Sequence, residues 1–113
     1  MTPMDDAALL RTAAERLTAL AARSTAGDWR VGGLLASRPE VVAHRPDGGS
    51  EHVAEARAAS AGWIAGLSPA VAVPLADLLR AAADRPEPGE PALRLARLLL
   101  ERLGGDHQAT PGS

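Results

Sequence analysis

Proline and glycine punctuate this chain so densely that only short elements can form between them. Gly27, Gly32-Gly33, Arg45-Pro46-Asp47-Gly48-Gly49, Ser68-Pro69, the run Arg85-Pro86-Glu87-Pro88-Gly89-Glu90-Pro91 and Gly104-Gly105 each end or redirect what precedes them. Some of the intervals carry apolar residues at helical spacing, and others alternate apolar with polar. The breakers set where elements end, and the periodicity sets their type.

From Asp5 to about Ser24, Leu10, Ala13, Leu17, Leu20 and Ala21 form a helical stripe, with Arg11, Glu15 and Arg23 on the other side. Thr2 and Pro3 are expected to cap it and supply its first turn, and Gly27 to end it in a left-handed conformation. Trp29-Arg30-Val31 then reads as a short strand, and Leu34 to Ser37 as its extension or as another strand. Val41-Val42-Ala43-His44 and Glu51-His52-Val53-Ala54-Glu55, joined by turn chemistry at 45–49, predict a hairpin.

Ala56 to Leu67 is helical in composition, and Ser68-Pro69 supplies a cap and a first-turn proline for the next helix. Val71, Leu75, Leu78, Leu79 and Ala82 mark its buried stripe, and Pro74 predicts a kink or a distorted first turn. A last helix runs from about Pro91 to Leu103 and stops at Gly104-Gly105. The expected class is α+β and mostly helical: an N-terminal helix, an antiparallel sheet of two to four strands, then two or three helices. With 113 residues there is room for one core, so residues 1–105 are expected to form a single domain and 106–113 a disordered tail.

A formal charge of −2, a sequence pI near 5.9 and the absence of lysine provide no basic field for a polyphosphate, so nucleic acid is not an expected partner. Cysteine is absent, which removes disulfides, thiol catalysis and thiolate metal sites. The acidic start Met1-Thr2-Pro3-Met4-Asp5-Asp6 does not resemble an export signal, and the expected location is cytoplasmic. The weakly polar stretch from Ala61 to Ala76 is broken by Pro69 and Pro74, so it reads as a core segment with no membrane partner.

No residue pattern specifies a reaction. His44 and His52 flank the turn, and a three-residue loop at Asp47-Gly48-Gly49 would set them opposite each other near Glu51 or Glu55 as half of a metal site. A loop of another length separates them and leaves two solvated strand residues. Ser24, Ser37, Ser50, Ser60 and Ser68 lie outside any nucleophile elbow, and the carboxylates of Asp5-Asp6 and Glu51-Glu55 read as solubilising charges. The glycine pairs lack the neighbours of a phosphate loop, so no cofactor is expected.

Trp29 and Trp63 are the only aromatic residues, and in so alanine-rich a chain both are expected to anchor the core, each indole N–H finding one acceptor. Leu93, Leu95, Leu98, Leu99, Leu100 and Leu103 cover more than one face of the last helix. That excess marks it as an expected interface between copies or with another protein.

Two segments carry a resemblance. Thr25-Ala26-Gly27-Asp28-Trp29 is similar to the helix ending Thr-Pro-Gly-Pro-Trp found in short proteins of actinobacteria and their phages, with both prolines replaced here. Trp63-Ile64-Ala65 followed by Pro69 and a leucine-rich helix through Arg80 resembles a second shared step of those proteins and, more remotely, of the Ead-like accessory proteins of temperate phages. The resemblance implies the order helix, small sheet, helix and a phage or mobile-element origin, and it transfers no catalytic residue. The expected function is a non-enzymatic interaction or accessory protein, homodimeric through the last helix. The alternatives are a small DNA-associated regulator aligning Arg11, Arg23, Arg30 or Arg38, and a metal-dependent module using His44 and His52.

Overall fold

The computed structural model describes residues 4–32 and 39–103. The expected cap at Thr2-Pro3, the strand over Leu34 to Ser37, the stop at Gly104-Gly105 and the tail over 106–113 lie outside the described residues. The elements are α1 (Asp6–Arg23), β1 (Asp28–Gly32), β2 (Glu40–His44), β3 (Ser50–Glu55), α2 (Ala58–Gly66), α3 (Pro69–Ala83) and α4 (Glu90–Arg102). Among the described residues helix accounts for 58% and strand for 17%, which makes the fold α+β and mostly helical as expected. Contacts group the residues into two compact units, one running to Leu20 and resuming at Val73, the other spanning Ala21–Ala72.

In the first unit, Leu10, Ala13 and Ala14 of α1, Ala76, Leu79 and Ala83 of α3, and Leu93 and Ala96 of α4 form one buried cluster. Asp5 caps α1: its Oδ1 accepts a hydrogen bond from the Ala8 N–H at 2.7 Å. The end of α3 is held by Arg11, whose guanidinium meets the Asp84 carboxylate at 2.6 Å. α3 runs unbroken through Pro74, so its regular part begins at Pro69 and not at the second proline. The ring leaves the Ala70 carbonyl without its intrahelical donor, and both residues are exposed, so water can replace the lost bond.

Part of the expected α4 interface lies inside the unit. Leu93 is 7% exposed and belongs to the cluster, while Leu95, Leu99 and Leu100 pack against it and Leu103 is half-buried. Leu98 alone among the six is classed as exposed, beside Arg94, Arg97, Glu101 and Arg102. The surplus of leucine is consumed inside the unit because residues three and four apart share the inward stripe.

In the second unit, β1, β2 and β3 form an antiparallel sheet in that order. Strand alternation puts Val41 and Ala43, both buried, on one face together with Trp29 and Val31, their partners on β1. α2 packs against β1 and β2. Gly27, at φ +122°, lies so near β2 that an added Cβ would fall 2.9 Å from the His44 carbonyl oxygen, so glycine is required there. The Ser68 Oγ accepts from the Ala70 N–H at 3.3 Å, the expected cap of α3.

Candidate docking surface

α2 has no charged residue, and the chain carries none between Arg57 and Asp77. It is apolar or small almost all round, so sequence periodicity supplies no polar side to mark which face turns to water. The sheet decides. Ala61 is fully buried, and Ile64 and Ala65, three and four residues on, are half-buried on the same side. Ala59, Ser60, Gly62, Trp63, Gly66 and the following Leu67 are exposed.

Trp63 is therefore not the core anchor its size implied: it is 70% exposed, and Leu67, one turn further on, is 61% exposed. The inward position of α2 is taken by alanine at 61, against a sheet face lined by Val41 and Ala43. The helical rotation that buries Ala61 carries residue 63 to the far side.

Ala59, Gly62, Trp63, Gly66 and Leu67 line one shallow depression. Apart from the helix's own backbone and the adjoining residues, no described atom lies within 4 Å of where a Cβ would stand at Gly62 or Gly66, so the helix is bare over about one turn beside the indole. The surface thus combines a large aromatic projection, an open strip of backbone and no charge. None of the five residues lining the depression can act as acid, base, nucleophile or metal ligand, and an exposed aromatic projection of this size favours being covered.

Trp29 differs. It is half-buried on β1 opposite Ala43, and its Nε1–H donates to the Thr25 carbonyl at 2.9 Å, the acceptor an indole in a packed setting requires.

The histidines are not set face to face. The turn spans 45–49 and pairs His44 with Ser50 and Val42 with His52, so the three-residue loop of the metal reading is not adopted. His52 Nδ1 instead lies 3.2 Å from Glu40 Oε1 on an exposed sheet face. Among the described residues no group of three or more His, Cys, Asp or Glu is arranged to hold a metal ion. Two of the arginines considered for DNA are held by carboxylates, Arg11 by Asp84 at 2.6 Å and Arg30 by Asp28 at 2.7 Å, and Arg38 lies outside the described residues. Among the described residues no single helix is long and apolar enough to cross a membrane. No family model, curated protein or solved structure matches this chain.

Proposed function

We propose that this chain is a non-enzymatic interaction protein that docks through the outward face of α2. The exposure of Trp63 on an uncharged helix carries this reading. A tryptophan is the most effective single anchor a protein interface can have, because it removes a large apolar area from water while losing little rotamer freedom. Covering its exposed part takes on the order of 100–170 Å² from water, worth about 2.5–4 kcal/mol at ~25 cal/mol per Å². Association itself costs about 4–15 kcal/mol, so Trp63 needs the help of Leu67 and the bare backbone, and the complex is of the readily reversible kind. The resemblance of two sequence segments to short actinobacterial and phage proteins implies an accessory role of phage or mobile-element type.

Photocross-linking tests the reading. A benzophenone side chain at position 59, at the rim of the depression, leaves Trp63 in place; a control carries it at position 98 on α4. In cells, adducts to protein are expected from position 59 and not from position 98. Adducts from 98 alone move docking to α4, and adducts from neither overturn the proposal.

A further inference from the structure

Resting on that reading, we infer that the occupant of the α2 face is the same face of a second copy of this chain, related by a twofold axis. Such an interface brings residues near the axis onto their own copies, so a charge there meets its like. α1 exposes Arg11, Glu15, Arg16 and Arg23, and α4 exposes Glu90, Arg94, Arg97, Glu101 and Arg102. α3 exposes Asp77 and Arg80. α2 alone among the described helices exposes no charge, and can lie against itself without repulsion.

Shape points the same way. Gly62 and Gly66 are four residues apart and share one side of the helix, with Trp63 immediately beside them. Each copy offers both a projection and an open strip, so the indole of one rests on the bare turn of the other and the arrangement is repeated by symmetry. A partner lacking both features would fill only half of the contact.

The contact is small. One nine-residue helix presents far less than the ~800 Å² per partner of a stable complex, which places the dimer in the weak, concentration-dependent class. With no charge at its centre, its strength is insensitive to salt.

The test is sedimentation equilibrium of the full chain over a wide concentration range, for the wild type and for Gly62→Leu, Trp63→Ala and Leu98→Glu, with each fold checked by thermal melting. The wild-type mass is expected to rise toward twice the monomer mass. Gly62→Leu fills the open strip and Trp63→Ala removes the projection, and each should weaken the dimer by about tenfold or more, a loss of ~1.4 kcal/mol or more. Melting should stay cooperative for both, and Leu98→Glu should dimerise like the wild type. A dimer lost in Leu98→Glu and kept in Trp63→Ala overturns the inference. A wild type that stays monomeric throughout also overturns it: if position 59 still yields adducts to other proteins, the docking surface stands with a different occupant, and if it yields none, both readings fail.

Discussion

α2 and α4 are both rich in apolar side chains, and the chain uses them in opposite ways. α4 carries leucine in excess, yet Leu93 lies in the core and Leu95, Leu99 and Leu100 pack against it, leaving Leu98 beside a row of arginines and glutamates. α2 is mostly alanine and glycine, with Ser60, Ile64 and one tryptophan, and it is the tryptophan that faces out. Apolar content therefore does not identify a sticky surface. What matters is whether charge reserves one side of the helix for water. Arg94, Arg97 and Glu101 do so on α4 and force the leucines inward; α2 has nothing comparable, so the geometry of the sheet chooses its inward side and puts Ala61 there, with Ile64 and Ala65 beside it.

The contrast can be broken by substitution, beginning where the effect is largest. Leu93→Ala should cost about 2–5 kcal/mol in urea unfolding, because it leaves a cavity among α1, α3 and α4; a loss under 1 kcal/mol would put that leucine on a surface. Ala61→Leu should cost about 1–3 kcal/mol by forcing two methylenes and more against the sheet. A neutral result there would mean that α2 does not sit with residue 61 inward. Gly62→Ala should stabilise the fold by about 0.5–1 kcal/mol, since a helix-interior glycine with open space above it gains order and meets no obstacle. A loss of stability would show that something already covers the site. Trp63→Ala should change the unfolding free energy of the monomer by no more than ~0.5 kcal/mol, the smallest effect for the largest side chain in the chain.

Most of the fold was legible. Breakers at Gly27, at 45–49, at Ser68-Pro69 and at 85–91 bound the elements where they fall, and the hairpin, the Ser68 cap and the last helix follow from local chemistry. The Asp5 cap of α1 was not read from the sequence, because the Thr2-Pro3 step is also a good initiator and only the bond from the Ala8 N–H marks Asp5 out. The site was much less legible. Hydrophobicity on every side of α2 erases the period that would have turned Trp63 outward, whereas the absence of charge from Ala58 to Ala76 and the spacing of Gly62 and Gly66 were readable signals. The histidine geometry depended on loop length, and a five-residue loop with Gly48 at φ +92° moves His52 opposite Val42.

The central claim is that Trp63 faces solvent in the monomer. Fluorescence of a Trp29→Phe variant, in which Trp63 is the sole indole, tests it at concentrations low enough to keep copies apart. The account predicts the red-shifted emission of a solvated indole, readily quenched by iodide, shifting to the blue and becoming protected as concentration rises. A blue-shifted emission inaccessible to iodide at the lowest concentration would contradict it and return Trp63 to the core.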